Sequence, residues 1–346
     1  MNRKMIYLDN AATTSVYKEV VNEMEHYLIK EYGNPGSPHT LGEKAMREIN
    51  GARKRLSFEI GAKSHEIIFT SGGTEANNSA LLGIFSDKKK KNKIIISSIE
   101  HSSIYEPAQY LKSLGYDLRI IPVNKEGLIN LTILEKAIDD ITLMVSVIHV
   151  NNEIGVMKNI KEIGKICKKK EVLFHTDAVQ SFGKERINVK EGIDIKPLIL
   201  GGSQESGRRG GTENVPGIMG FVKALEIAKK IDKENIRKLK DYLILKLEKI
   251  GGKINGSKEN RIYDSVNINL KEIDAEKLVL HLSQKGIMCS TRSACLTKQK
   301  KENRVLKALG LSELEMKSSM RLVLNEYITR KDIDYVVREI ERFLRK

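Results

Sequence analysis

The chain alternates between two hydrophobic patterns along most of its length. Apolar residues recur at helical spacing in segments such as EVVNEMEHYLIKEY at 19–32 and LGEKAMREINGARKRLSFEIG at 41–61. Between such segments lie short apolar runs rich in β-branched residues: HEIIFT, KIIISSI, DLRIIPV, LMVSVIHV and EVLFHTDA. Such runs are typical of buried parallel strands. The alternation predicts an α/β fold with a mostly parallel central sheet.

The pattern changes after residue 228. A long charged helix is predicted near 234–250, and the tail then reads strand–helix–strand–helix–strand–helix. At 346 residues the chain is long enough for two domains. We therefore predict a large α/β domain over 15–228, and a small α+β domain formed by 1–14 together with 229–346.

Composition narrows the class of protein. The charged fraction of 30% and the hydrophobic fraction of 40% are ordinary for a globular protein. No apolar run approaches a membrane span, and MNRKMIYLDNAATT lacks the apolar core of a signal peptide, so we expect a cytoplasmic protein. The three cysteines, Cys167, Cys289 and Cys295, are too few and too badly spaced for a disulfide framework or a zinc site.

The formal charge of +15 raises the question of an acidic partner such as RNA. Lysines are spread over nearly every predicted helix, and the chain has no Trp to stack on bases. A solvated basic surface therefore explains the charge better, and direct nucleic-acid binding is a distant alternative.

The segment FTSGGTEANNSALLGI reads as a strand, a glycine turn and the start of a helix. Free amides after Ser71, at Gly72 and Gly73, together with the Thr74 hydroxyl, would form a phosphate cradle. A tight turn into a capped helix would have the same sequence, so this motif alone does not decide.

Other polar residues stand at the predicted ends of neighbouring strands. His101 ends IIISSIEH, Asn152 follows VIHV, and Asp177 and Gln180 follow LFHT. Ligands in open α/β sheets bind at the carboxyl ends of the strands. Each residue also has a purely structural explanation when it is taken alone.

Together these residues suit the parts of a single ligand. A phosphate would bind the glycine turn, a flat ring would lie against His101, and a ring hydroxyl would meet Asn152 and Gln180. Asp177 would pair with a protonated ring nitrogen, which keeps that nitrogen charged and makes the ring an electron sink. The ligand that fits is pyridoxal 5′-phosphate (PLP).

The same motifs resemble those of the cysteine desulfurases, PLP-dependent enzymes of the aminotransferase-like fold, with a mostly parallel sheet in a large domain and a small α+β domain. The resemblance covers nearly the whole chain and rests on YLDNAATT, YGNPGSPHTLG, FTSGGTEANN, IEHSSI, HVNNEIG, HTDAVQS, GGSQESGRRGGTENV and SACL, in this order. It implies conversion of L-cysteine to L-alanine, with the sulfur left as a persulfide for transfer. A selenocysteine lyase or another PLP lyase stays open as an alternative.

The resemblance also implies a role for individual residues. For the cofactor, it implies that Gly73 and Thr74 hold the phosphate, His101 stacks on the ring and takes part in catalysis, Asn152 and Gln180 meet the ring oxygen side, and Asp177 pairs with the ring nitrogen. For the substrate, it implies that Asn152 and Arg321 bind, with Arg321 at the carboxylate, and that Cys295 is the nucleophile. Thr212 would reach the phosphate of the neighbouring subunit. The role of Thr212 implies a homodimer with shared sites.

Cys295 lies among Ser, Thr and Lys residues on a predicted polar loop, where a thiolate is favoured. Cys289 lies on the preceding strand, and we expect it to be buried and inert. Arg292 stands where many relatives carry Gly. The resemblance implies a sulfur-acceptor protein that docks near Cys295, either an iron–sulfur scaffold or an enzyme of tRNA thiolation.

One segment of the family pattern has no counterpart near 189–191. In the family, a strand ending in Ser-x-His-Lys follows the Asp–Gln strand, and its lysine bonds to the cofactor. Here GKERINVK joins directly to EGIDIKPL, so about two strands, each ordinarily about 5–6 residues, are absent. Lys184, Lys190 and Lys196 remain nearby without the motif.

Three explanations are open for this gap: a segment that the natural protein has and this sequence omits, a natural deletion, or a deliberate excision. The flanking cofactor residues persist, which favours the first. A natural deletion would allow an alternative function, in which a lysine-less homodimer acts as a scaffold or regulator of sulfur transfer.

Overall fold

A computed structural model describes residues 5–85, 91–189, 193, 195–270, 273–291 and 303–345. Cys295, Arg292 and Lys190 lie outside the described residues. Within the described ranges, no helix combines the length and the apolar character needed to cross a bilayer.

The strands form three sheets. A parallel sheet has the order β3-β2-β4-β5, an antiparallel sheet has the order β6-β7-β9, and β1 pairs with β8 in parallel. The strands are β1 (Ile6–Tyr7), β2 (Lys93–Ser97), β3 (Asp117–Ile121), β4 (Thr142–Ser146), β5 (Leu173–His175), β6 (Gly252–Ile254), β7 (Ser265–Leu270), β8 (Ile287–Met288) and β9 (Ser319–Val323).

Helices connect and cover these strands. They are α1 (Lys18–Ile29), α2 (Thr40–Ile60), α3 (Gly73–Ile84), α4 (Ser102–Ser113), α5 (Leu131–Ala137), α6 (Ile160–Lys169), α7 (Val215–Ala228), α8 (Lys233–Lys249), α9 (Ala275–Gln284), α10 (Arg304–Ala308), α11 (Glu313–Lys317) and α12 (Arg330–Leu344). Side-chain caps begin several of them: the Asn130 side chain accepts from two amides of α5, and Asp232 accepts from the Asn235 amide of α8.

The central strands β2 and β4 of the parallel sheet are buried on both faces, which explains their continuous apolar runs. Successive side chains of β2 point to opposite faces. Ile94 and Ile96 pack in a core with Ile104 of α4, whereas Ile95 packs in a second core with Leu134 of α5. All three isoleucines of β2 are fully buried. The predicted α/β fold with a parallel sheet is therefore confirmed.

The antiparallel sheet lies beyond α8 in the chain. Val266 and Ile268 of β7 are fully buried in a core with Leu243 of α8, Leu278 of α9 and Val336 of α12. The N-terminal strand β1 joins the same core through Ile6. The C-terminal third of the chain thus shares a core with the first residues.

The strand predicted for HEIIFT is wrong. Residues Ser64–Glu66 form a 3-10 turn, and 67–70 belong to no strand. Side chains satisfy the backbone there: the Arg53 guanidinium donates to the carbonyl of Ile67, and the amide of Phe69 donates to Glu205 Oε2 at 3.1 Å. The physical reason is pairing, because a strand needs a neighbouring strand for its backbone groups, and in the described part of the chain no strand pairs with 67–70.

Candidate active site

A cavity of about 240 Å³ opens beyond the carboxyl ends of β2, β4 and β5. Six residues that the sequence singled out line it, namely Gly73, Thr74, His101, Asn152, Asp177 and Gln180. A larger cavity of about 440 Å³, between the N-terminal segment and Tyr327, contains none of them and is lined mainly by apolar atoms.

One end of the cavity is formed by the start of α3. This helix begins at Gly73, so its free amides and its positive dipole end face the cavity. A Cβ at Gly73 would lie 2.6 Å from Cγ2 of Val179, so only glycine fits without a shift of that side chain. The free amides of this helix start are donors suited to an anionic group.

An ion pair anchors the turn that leads into α3. Glu75 accepts from the Ser71 amide at 2.8 Å and from Arg209 Nε at 2.9 Å. Burial alone would raise the pKa of Glu75, but the hydrogen bonds from Arg209 and Ser71 lower it to about 2. Arg209 belongs to the RRGGT segment, so the turn is tied to the loop that carries Thr212. Thr212 itself is exposed and does not line the cavity.

Asp177 also lines the cavity. It is only 5% exposed; its Oδ1 accepts from the Val179 amide at 2.9 Å, and its Oδ2 accepts from Asn77 Nδ2 at 2.8 Å. Both donors are neutral, and no ion pair involves Asp177 within the described residues. A buried carboxylate without a cation is costly, and a protonated ring nitrogen would remove that cost.

His101 is a further residue of the cavity lining. Its imidazole caps α4, because Nδ1 accepts from the Ser103 amide at 3.2 Å. Burial lowers the pKa of His101 below its ordinary value. The group that faces the cavity at neutral pH is therefore a flat, uncharged ring, suited to stacking against another ring.

Arg321 adjoins the cavity but does not line it. Its guanidinium is almost fully buried, with Nη2 2.7 Å from Asp9 Oδ1 and Nη1 donating to the Asn152 carbonyl at 2.9 Å. Its Nε is buried and has no partner among the described atoms. Gln180, on the same side, donates to the Ala11 carbonyl at 3.2 Å.

Lysine is missing from the cavity lining that the structure describes. Lys184 instead pairs with the buried Asp264 at 2.7 Å. Cys289 follows β8 and is half-buried, and burial raises the pKa of its thiol to about 12. Cys289 is therefore a protonated thiol at neutral pH, and its inertness stays a prediction.

Sequence reasoning missed two residues of this site, Asn77 and Ser103. Asn77 donates to Asp177 and also to Ser103 Oγ, at 2.8 Å in each case. The available signals were weak: an asparagine inside the apolar stretch of α3, and a serine two positions after His101. Neither pattern states which distant residue the side chain meets.

Comparison with known proteins then decides the family. The Aminotransferase class-V family matches residues 6–203 and 194–336. The cysteine desulfurase IscS of Dictyoglomus turgidum is 38% identical over 376 residues, covering 99% of this chain and 95% of that protein. The cysteine desulfurase IscS of Methanosarcina thermophila is 39% identical over 374 residues, covering 99% and 93%. This chain belongs to the cysteine desulfurases of the aminotransferase class-V family.

Solved structures agree with this family. A NifS-like protein superposes with a TM-score of 0.92 at 32% identity, covering 99% of both chains. SspA, solved in complex with cysteine, superposes with a TM-score of 0.83 at 30% identity, covering 94% of this chain and 100% of that one. The predicted PLP-dependent transferase fold is thus confirmed.

The alignments also bear on the gap near 189–191. They extend over 374 and 376 residues, more than the 346 residues of this chain, so the relatives carry residues that have no counterpart here. The family match divides into two parts that meet at 194–203, just beyond the predicted gap.

Enzymes of this family depend on PLP, and the cavity fits that cofactor. It offers amides at a helix start, a buried carboxylate without a cation, an uncharged imidazole, and two side-chain amides. These donors and acceptors match a phosphate, a cationic ring nitrogen, a ring face and a ring oxygen.

Proposed function

We propose that this protein converts L-cysteine to L-alanine with PLP and carries the released sulfur as a persulfide on Cys295. The observation that carries the proposal is the convergence of His101, Asn152, Asp177 and the start of α3 on one cavity, in a chain that belongs to the cysteine desulfurases.

The residues that line the cavity have distinct roles in this proposal. The amides of Gly73 and Thr74 hold the phosphate, Asp177 accepts from the protonated ring nitrogen, and His101 covers one face of the ring. PLP, when bound, supplies an electron sink for the carbon that loses its proton. Asn152 and Gln180 meet the oxygen side of the ring through their amide groups.

The substrate carboxylate is assigned to Arg321. A guanidinium presents donors in a planar fork that matches a carboxylate. The Arg321 Nε has no partner among the described atoms but is closed to the cavity, so contact with the substrate carboxylate requires a local shift of this side chain. Asp9 and the Asn152 carbonyl hold the other two nitrogens, so the guanidinium is oriented before substrate arrives.

We further propose a homodimer in which Thr212 reaches the phosphate bound by the other subunit. The exposure of Thr212 supports this arrangement, because the threonine does not line its own cavity. The sulfur would pass to an acceptor protein, either an iron–sulfur scaffold or an enzyme of tRNA thiolation, that docks near Cys295.

Paired cysteine variants test the function. Cys295→Ala should abolish persulfide formation from L-cysteine while PLP stays bound. Cys289→Ala is the matched control and should retain persulfide formation, because that thiol is half-buried and protonated. Persulfide is measured by mass spectrometry of the protein, and alanine by chromatography. Sulfide release that persists unchanged in Cys295→Ala would refute the proposal.

The same assay separates the enzyme from the scaffold alternative. A scaffold would bind an acceptor protein yet form no alanine from L-cysteine in the presence of PLP. Alanine formation by the wild-type protein would exclude that alternative.

A further inference from the structure

A hydrogen-bonded chain joins the two groups that face the proposed cofactor ring. It runs from Asp177 Oδ2 to Asn77 Nδ2, from Asn77 Nδ2 to Ser103 Oγ, and from Ser103 Oγ to His101 Nδ1, with each distance 2.8 Å. Asn77 and Ser103 are only 4% and 6% exposed, so water does not compete for these contacts.

The groups at the two ends of this series of hydrogen bonds determine which atom donates and which accepts in each bond. An ionised carboxylate only accepts, so Asn77 must present its NH₂ group to Asp177. The Ser103 amide only donates, so His101 Nδ1 is an acceptor and carries no proton. The Ser103 hydroxyl therefore donates to Nδ1 and accepts from the second N–H of Asn77.

We propose that Asn77 and Ser103 are positioning residues, which together hold Asp177 in place and keep His101 neutral with its proton on Nε2. The inference rests on the proposed function only in assigning Asp177 and His101 to the cofactor ring. A single amide group of Asn77 thus sets the hydrogen bonds at both the ring nitrogen and the ring face.

The uncharged state of His101 follows from the contacts of its Nδ1. A proton there would point at the Ser103 N–H, which lies 3.2 Å away and cannot turn. The lone pair of Nδ1 is already shared by two donors, so Nε2 is the ring position left to carry a proton. Asn77 acts on His101 through Ser103, whose hydroxyl oxygen it fixes.

Nuclear magnetic resonance of ¹⁵N-histidine-labelled protein without cofactor tests the arrangement directly. His101→Gln identifies the His101 signals. The wild-type protein should show one tautomer, with the proton on Nε2 and a hydrogen-bonded Nδ1. Asn77→Leu keeps a similar volume but removes both N–H donors of Asn77, and it should shift the Nδ1 resonance from its wild-type position, because the Ser103 hydroxyl oxygen is no longer held.

A matched control lies at the next position of the same helix. Asn78 donates to the Thr74 and Ser103 carbonyls and contacts neither Asp177 nor the Ser103 hydroxyl in the hydrogen bonds described. Asn78→Leu should therefore leave the His101 tautomer and the Nδ1 resonance unchanged.

Affinity for PLP gives a second readout that separates the two positioning residues. Asn77→Leu should weaken binding about tenfold or more, because a hydrogen bond to a charged group is lost. Ser103→Ala should alter the Nδ1 resonance and weaken PLP binding less than Asn77→Leu does, because Asn77 still holds Asp177. Ser103→Ala removes one oxygen atom, so it also serves if Asn77→Leu does not fold.

A wild-type tautomer with the proton on Nδ1 would overturn the inference. Unchanged His101 signals and unchanged PLP affinity in Asn77→Leu would overturn it too. The resonance measurement needs neither substrate nor turnover. A wild-type protein that forms no alanine but shows the predicted His101 state would refute the proposed function and support this inference.

Discussion

Glu75→Gln tests whether one ion pair holds the turn before α3. The carboxylate accepts from the Ser71 amide and from Arg209, and its side chain is only 10% exposed. A pKa lowered from 4.5 to about 2 corresponds to an upper limit of about 3 kcal/mol in the free energy of unfolding. Because the Arg209 side chain is 24% exposed and the pair is therefore partly screened by water, we expect a loss of about 1–2 kcal/mol.

The dependence on pH has a definite sign. The pKa of Glu75 is lower in the folded than in the unfolded protein, so the stabilisation is complete above about 4.5 and is lost as the pH falls toward about 2. The variant lacks a titrating group at this position. The difference in stability between the two proteins should therefore narrow as the pH is lowered below about 4.5.

Denaturant unfolding of wild type and variant at several pH values measures this effect. Glu135→Gln is the control, because Glu135 pairs with Lys169 on the surface and no comparable loss is expected. The variant should also bind PLP more weakly, since the turn carries the phosphate amides. A loss in Glu75→Gln no larger than that in Glu135→Gln, at every pH, would refute the reasoning.

Three further predictions concern packing and the cofactor. Gly73→Ala should weaken PLP binding, because its Cβ would lie 2.6 Å from Val179 Cγ2. Adding Val179→Ala should restore much of the affinity, and no recovery would show that this contact is not the cause. Glu205→Gln should lower the free energy of unfolding by about 3 kcal/mol, because it leaves the Arg53 charge unpaired at a buried site. Glu226→Gln on the surface should lower it only a little, and equal losses in the two variants would contradict this reasoning. Borohydride reduction after PLP addition should give a pyridoxyl adduct and an intact mass above that of 346 residues. An adduct on the 346-residue chain would instead indicate a substitute lysine, and no adduct would favour the scaffold alternative.

Much of the fold followed from local patterns. A run such as KIIIS must be covered on both faces, because alternate side chains point in opposite directions, and the structure buries Ile94, Ile95 and Ile96 against helices on both sides. The motifs also named the residues that meet at the cavity, because strand ends in a parallel sheet lie along one edge.

The strand expected at 65–70 shows where local patterns fail. Its apolar, β-branched composition suits a strand, but strand formation also requires a neighbour that offers backbone donors and acceptors. Arg53 and Glu205 supply those groups instead, and Glu205 lies 136 positions from its partner Phe69. Composition alone does not reveal whether a partner strand is present.

The sequence by itself determined the alternation of strands and helices, the glycine at the start of α3 and the family to which the chain belongs. Only the tertiary structure decided how the polar groups are paired. Asn77 reaches Asp177, and Asp9 reaches Arg321, across long stretches of chain. The reason is physical: hydrophobic periodicity is a property of neighbouring residues, whereas a hydrogen bond depends on where distant segments pack, and no local pattern encodes that distance.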